Sequence, residues 1–465
     1  MLPAALPQTP KLPFGKFKQW ITDADGRVII VHGVNMINKL PPYTLSSTGF
    51  GVADAQLLAS AGINAVRVGV IYSAVEPAPG VYDDAYLADI AGTIDILAAH
   101  GILSLIDFHQ DGWGPSFICE GFPEWATLTT AKDPVVEYPI RPVDSFPKLL
   151  LSDAAKAAFG NFWRNTPGPG GVPLQERFAA AWAYTVRFLN ARNTPGILGW
   201  ELLNEPWPGN VVDPVEAQAL LTAFTQRIVD AIRNDAKDTD HMIWYEPWVM
   251  FDAGDPTNIG TIHDPTGRIG FAFHNYRKID DDYGMVWNKA LDHYQKSGNP
   301  LLATEFGAEQ RDVPGQALIL EKQMASADDS MMPVIYWTYW NRTPYQIVGE
   351  TGPVSAPGMG IVYDPTQPLT AGNVWQEGLQ ALSRVYPQLI AGEPLSWTFN
   401  PYDRRFSFVY IATPQGITEI FVPSSHYIHP PTVTIAGEVA KWDLTDQVLR
   451  IWAGPKPTTV KVTIT

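Results

Sequence analysis

The chain has 465 residues, 46% apolar and 17% charged, a balance that suits folded cores and excludes an extended disordered chain. That length exceeds one compact core but accommodates a barrel of roughly 250 to 400 residues with one small domain added. A formal charge of -16 repels phosphate backbones and anionic surfaces, so nucleic acid is not an expected partner, and the single cysteine, Cys119, excludes a disulfide framework and multi-cysteine metal sites.

No apolar run approaches the roughly 20 residues that cross a bilayer, so at most transient contact with a membrane or micelle surface is expected. The start, MLPAALP, has neither a basic segment nor an apolar one of signal-peptide type. A secreted mature form is the expectation, with a cytoplasmic protein as the alternative. A monomer is expected.

Eight β-rich runs alternate with helix-compatible stretches. They begin near Val28 (VIIVHGVN), Ile63 (INAVRVGV), Ile102 (ILSLIDFH), Ile197 (ILGWELLNE), Met242 (MIWYEP), Ile269 (IGFAFHNY), Leu301 (LLATEFG) and Val334 (VIYWTYW). Each is almost continuously apolar, as parallel strands covered by helices on both faces must be. Helical spacing is visible over Val52–Ala61, Asp84–His100, Glu176–Asn190 and Asp213–Asn234. The α/β class that results is a closed (β/α)8 TIM barrel. Asp111 to Ser152 reads as an insertion rich in proline and aromatic residues, of the kind that shapes a cleft.

After Tyr386 the runs become short and alternating: LSWTF, RFSFVYIA, TEIFVP, TVTIAG, VLRIWAG and TVKVTIT. That texture predicts a small antiparallel β-sandwich, dividing a catalytic barrel, 1–386, from an accessory domain, 387–465.

Barrel chemistry gathers at the carboxyl ends of the strands. The fourth run ends in Asn204-Glu205-Pro206, the sixth in His274-Asn275-Tyr276, the seventh carries Glu305 and the eighth Trp337. The third ends in Asp107-Phe108-His109, with Asp111 following, and the second carries Arg67. Two carboxylates on opposite walls of a barrel mouth can flank a glycosidic bond, one giving a proton to the leaving oxygen and the other attacking the anomeric carbon.

WELLNEPWPG from Trp200, FAFHNY from Phe271, LLATEFG from Leu301 and YWTYW from Tyr336 resemble clan A glycoside hydrolases of family five, over Val28 to Trp340. Within that family, DFHQDGWG from Asp107, HGVNMINKLPPY from His32 and the C-terminal sandwich are similar to the endoglycoceramidases, which cleave between oligosaccharide and ceramide. The resemblance implies retaining hydrolysis without a cofactor or metal, on a glycosphingolipid, and so a place in sphingolipid and carbohydrate metabolism. It implies Glu205 as acid/base, Glu305 as nucleophile and Asn204 as partner of the sugar 2-hydroxyl. His109 and His274 would orient carboxylates or bind sugar hydroxyls, Trp337 would floor the sugar site, and Lys39 and Asp111 would bind the glucose next to ceramide. Arg67 and the Tyr276 hydroxyl suit a nucleophile that must stay ionised.

The aromatics Trp113, Phe117, Phe122, Trp125 and Trp207 are expected to form an apolar groove beside the sugars, suited to a lipid tail or equally to stacking on plain sugars. An endo-β-glucanase of soluble glucans is therefore the alternative. Two rivals of other classes are a metal-dependent hydrolase using His32, His109, His274 and Asp111, and a non-catalytic glycolipid-binding protein. Glu201 and Glu246 read as bracing groups, and His32 as a core residue.

Overall fold

The computed structural model describes residues 9–117, 119–129, 152–276, 282–307, 314–342, 359–427 and 429–465; the 130–151 part of the insertion lies outside them. Eight parallel strands close into a barrel. After three short N-terminal strands, β1 (Gly15–Phe17), β2 (Trp20–Thr22) and β3 (Val28–Ile29), come β4 (His32–Asn38), β5 (Ala65–Ile71), β6 (Leu103–His109) and β7 (Ile197–Glu201). The circle is completed by β8 (Met242–Tyr245), β9 (Ile269–Asn275), β10 (Leu301–Phe306) and β11 (Val334–Arg342), which pairs back onto β4. All eight apolar runs contribute a barrel strand. The first splits: Val28 and Ile29 belong to another sheet, and only from His32 does the chain enter the barrel.

Helices Val52–Ser60, Asp84–Ala98, Leu174–Ala191 and Pro214–Asp230 lie within a few residues of the expected ones. Local chemistry sets their starts. Asp83 accepts from the Ala85 and Tyr86 N–H groups, and Asp213 caps the Glu216 N–H ahead of a proline at the first helical position.

The C-terminal strands are β12 (Tyr386–Ile390), β13 (Gly392–Asn400), β14 (Arg405–Ala412), β15 (Ile417–Phe421), β16 (Val433–Ala436), β17 (Val439–Thr445), β18 (Val448–Ala453) and β19 (Thr458–Ile464). They form a four-stranded antiparallel sheet, β13-β14-β19-β16, and a seven-stranded one, β1-β2-β3-β12-β15-β18-β17. Trp20, Trp397, Phe406, Phe408, Leu449 and Val462 share the core that joins these elements. Three strands of the larger sheet thus come from residues that precede the barrel.

The junction lies near the amino ends of the strands, away from the mouth. His32, at the start of β4, stacks on Tyr386 with ring centroids 3.7 Å apart, and the Tyr386 hydroxyl donates to the Gly62 carbonyl at 2.6 Å. Burial pushes the His32 imidazole down to about 3, so it stays neutral core. Arg384 and Trp397 both donate to the buried Asp328 carboxylate of the barrel helix Gln316–Asp329.

Candidate active site

Arg67, fully buried on β5, organises the floor of the mouth. Its guanidinium bonds Glu201, Glu305 Oε1 at 2.7 Å, Asn204 Oδ1 at 2.8 Å, Asn35 Oδ1 at 3.1 Å and Glu246 Oε1 at 3.3 Å, with Asp107 Oδ2 at 3.2 Å. One planar fork thereby sets side chains from β4, β6, β7, β10 and the loops after β7 and β8. Glu201 is its buried ion partner below the mouth.

Glu305 accepts from Arg67 through Oε1 and from the Tyr276 hydroxyl through Oε2 at 2.7 Å. Both oxygens are acceptors, the arrangement that suits an ionised carboxylate. Burial raises this carboxyl, opposed by the charges of His274 and Arg67.

Glu205 follows β7 in a turn, with φ of 40° in the left-handed region that costs a non-glycine residue energy. Hydrogen bonds on both sides hold it there. Its N–H donates to Glu246 Oε2 at 3.0 Å, while Gln110 Nε2 donates to the carbonyls of Asn204 and Glu205 at 2.9 and 3.1 Å. The carboxyl then points to the mouth, where His274 Nδ1 donates to Oε1 at 2.9 Å. The same nitrogen lies 3.6 Å from Glu305 Oε2. Both distances run to one atom, so the nearest oxygens of the two carboxylates are no more than about 6.5 Å apart, a ceiling that admits the spacing of about 5 to 5.5 Å for a direct nucleophile and excludes most of the inverting range.

Asn204 spends Oδ1 on Arg67 and one N–H on the Gln110 carbonyl at 3.0 Å, which leaves a second N–H for a substrate hydroxyl. His109 Nδ1 bonds Asp107 Oδ2 at 2.7 Å. Burial and the charges of Lys39 and Arg67 hold His109 well below its usual range, so it is neutral and its Nε2 presents a lone pair. That Nε2 has no hydrogen-bond partner among the described residues. The Trp337 ring lies nearly parallel to His109, with centroids 5.7 Å apart, and the Lys39 ammonium stands 4.7 Å from its centroid. Lys39 pairs with Asp111 and, at 3.3 Å, with Glu120.

Among the described residues, three clusters have donor atoms within 4.8 Å of one another: His109, Asp111 and Glu120; Glu201, Glu246 and His274; Glu205, Asp252 and His274. Protein groups already serve each. Lys39 lies on both carboxylates of the first and Arg67 on both of the second, and in the third the Nδ1 hydrogen of His274 is directed at Glu205. The constellation of the rival metal-dependent reading does not assemble, because His32 sits at the amino end of its strand, stacked on Tyr386, away from His109, His274 and Asp111.

The aromatic groove is corrected. Trp113, Phe117 and Phe122 are fully buried in the barrel core. Trp113 stacks on Phe122 at 4.2 Å, Phe122 meets Phe162 edge-on at 4.7 Å, and Trp113 Nε1 donates to Thr127 Oγ1 at 2.9 Å. A Cβ on Gly114 would come within 2.2 Å of the Phe122 carbonyl, a measure of how tightly this loop closes. The folded loop delivers Asp111 and Glu120, joined by a β-bridge, to Lys39. Trp125 is half-buried against Tyr72, its Nε1 on the Glu76 carbonyl at 3.0 Å. Trp207, also half-buried, does line a groove.

That groove has a volume of about 1070 Å³ and is walled by Trp207, Val211, Val215, Trp248, Met250 and Phe251. Val212, Val215 and Met250 are 88%, 79% and 52% exposed. The sequence reading missed Val212, Val215 and Met250, along with Glu120, Gln110 and Asp252. Of these, Gln110 adjoins Asp111 at the end of a recognisable strand and could have drawn notice; Glu120 reaches Asp111 only through a β-bridge, and Asp252 follows the run at Met242 by several residues of unpatterned loop.

The Cellulase (glycosyl hydrolase family 5) profile matches residues 46–343, and that of the glycoside hydrolase family 5 C-terminal domain matches residues 384–465. Endoglycoceramidase I of Rhodococcus hoagii is 28% identical over 95% of this chain and 86% of its own length. Endoglycoceramidase of Cyanea nozakii is 26% identical over 85% of this chain and 80% of its own. The lactosyl-enzyme intermediate of endo-glycoceramidase II from Rhodococcus sp. superposes with a TM-score of 0.76 at 26% identity, covering 97% of this chain and 99% of the other. With the barrel and the sandwich each matched, and two carboxylates sharing one imidazole at the barrel mouth, the chain belongs to glycoside hydrolase family 5.

Proposed function

We propose that this protein is a retaining endo-β-glycosidase that hydrolyses the bond between the oligosaccharide and ceramide of glycosphingolipids. The observation that carries the chemistry is the convergence of Glu205 and Glu305 on His274 Nδ1. In this reading Glu205 protonates the departing oxygen while Glu305, held between Arg67 and Tyr276, bonds to the anomeric carbon. Glu205 then takes a proton from water, whose oxygen displaces Glu305. Asn204, His109 Nε2 and Lys39 supply polar contacts for the sugar, and Trp337 an aromatic face.

The relatives named above are endoglycoceramidases, and a lactosyl-enzyme species of one supports the covalent route. The groove supports the aglycone. The acid stands on the leaving-group side, and the groove opens at Trp207, two residues beyond Glu205, with an apolar lining that suits alkyl chains better than a second run of sugars. The reading carries with it a secreted monomer that touches membranes or micelles transiently; no described helix is long and apolar enough to cross a membrane.

The test is incubation with a ganglioside and mass analysis of the products. Intact oligosaccharide with free ceramide is the expected outcome. Turnover of a soluble β-glucan with gangliosides untouched would return the protein to the glucanase reading.

Two substitutions probe the halves of the site. Glu205→Ala should lose about 10²- to 10⁴-fold in kcat on a ceramide-linked substrate and far less on an aryl glycoside with an activated leaving group, which departs without a proton. Equal losses would remove the acid role. Met250→Glu and Val215→Asp, on the groove wall, should each raise KM for the lipid-linked substrate about tenfold, about 1.4 kcal/mol of lost apolar contact, while leaving a soluble aryl glycoside unaffected. Parallel changes on both substrates would show that the groove does not hold the lipid.

A further inference from the structure

Two carboxyls can hydrogen-bond to each other only when a proton lies between them. Glu205 and Asp252 place carboxyl oxygens within 4.8 Å of each other and of a ring nitrogen of His274, a spacing at which two buried carboxyls compete for one proton. Asp252 rides on the single-turn helix Val249–Ala253 after β8, which is anchored by the Val249 N–H on the Pro206 carbonyl at 2.9 Å, one residue past Glu205. Its Oδ2 lies 3.8 Å from His274 Nδ1, the nitrogen that donates to Glu205. The described charged and titratable groups facing it are Glu205 from the turn after β7, His274 and Tyr276 at the end of β9, and Glu305 from β10. Among them only His274 can carry positive charge, and its Nδ1 hydrogen is directed at Glu205, so a shared proton offsets the second carboxylate.

Resting on the reading of Glu205 as acid/base, we propose that Asp252 is a positioning residue that keeps the catalytic proton beside Glu205 between turnovers and supplies it when the glycosidic oxygen departs. In the resting site the pair carries one proton. As the bond from the anomeric carbon to the leaving oxygen breaks, that oxygen keeps the electron pair and takes the proton from Glu205, which is replenished from Asp252, while Glu305 forms the new bond to carbon. The pair is then doubly ionised. Its self-repulsion makes Glu205 a stronger base toward water, whose proton restores the shared state as its oxygen displaces Glu305.

The electrostatics agree with this division. Burial raises Glu205, yet the hydrogen bond and charge of His274 and the proximity of Asp252 outweigh it and leave that carboxyl below its ordinary range. Burial and the charge of Glu205 push Asp252 well above its own. These opposite directions favour Asp252 as the carboxyl that holds the proton in the resting pair.

The experiment is the pH profile of kcat/KM for Asp252→Asn and Asp252→Ala on glycosides with poor and with activated leaving groups. With the poor leaving group, the basic limb should move down by about one pH unit in both variants, because the neighbouring charge that delays loss of the proton is gone. KM should change little, and the loss should be much smaller with the activated leaving group. A basic limb that stays in place in both variants, or losses that are equal on both leaving groups, would overturn the proposal. If Glu205→Ala itself loses equally on both, the acid/base assignment is what has failed, and the two failures are told apart.

Discussion

Glu305→Gln is expected to reduce turnover by about 10⁴-fold or more while leaving fold and substrate binding intact. The carboxamide is nearly isosteric and its oxygen can still accept from Arg67 Nη1, so the floor of the mouth keeps its geometry. Its nitrogen can donate to the Tyr276 hydroxyl, reversing a hydrogen bond without breaking it. What disappears is the lone-pair charge that forms the bond to the anomeric carbon. Turnover, thermal unfolding and calorimetric binding of a substrate separate these effects. Glu305→Ala adds a sharper check, because the space it leaves should admit azide, which would attack from the vacated side and release a glycosyl azide of inverted configuration. Near-normal hydrolysis by the glutamine variant, or azide without effect on the alanine one, would place the nucleophile elsewhere.

The barrel was legible because a parallel strand covered on both faces must be apolar at nearly every position, and eight such runs stand out from amphipathic helices. Helical spacing located the helices, and Asp83 and Asp213 fix their starts by a chemistry that needs only neighbouring residues. The run at Val28 misled for the opposite reason. Val28 and Ile29 pair with Ile390 and Leu389, and nothing local distinguishes a partner some 360 residues away from a barrel neighbour.

The site divides along the same line. His109, Asn204, Glu205, His274, Glu305 and Trp337 could be found because each stands at the end of a recognisable strand, which fixes the face on which it emerges. Asp252 and Glu120 sit on loops, where position follows from tertiary packing. The loop aromatics show the limit of composition: Trp113, Phe117 and Phe122 seek apolar surroundings, and the helix layer with Phe159, Phe162 and Phe178 provides them before any lipid does.

Arg67→Met should cost about 3 to 5 kcal/mol of stability at neutral pH, and the pH dependence of that cost shows why. The guanidinium touches Asp107, Glu201, Glu246 and Glu305, all buried. Burial and neighbouring carboxylates already push Asp107 and Glu246 well above the usual range, with Arg67 opposing that rise. Without Arg67 these folded-state values rise further above those of the unfolded chain. A carboxyl raised in this way stabilises the fold fully only below its unfolded value, and the contribution is lost as pH climbs through the folded one. Chemical unfolding of the variant and the parent should therefore differ most at neutral and alkaline pH and converge as pH falls toward 4. A gap that stays constant over that range would mean that Arg67 acts through packing alone. A gap that closes would show that this single cation opposes protonation of the buried carboxyls under the mouth, Glu305 among them, and so joins the stability of the barrel to the chemistry at its end.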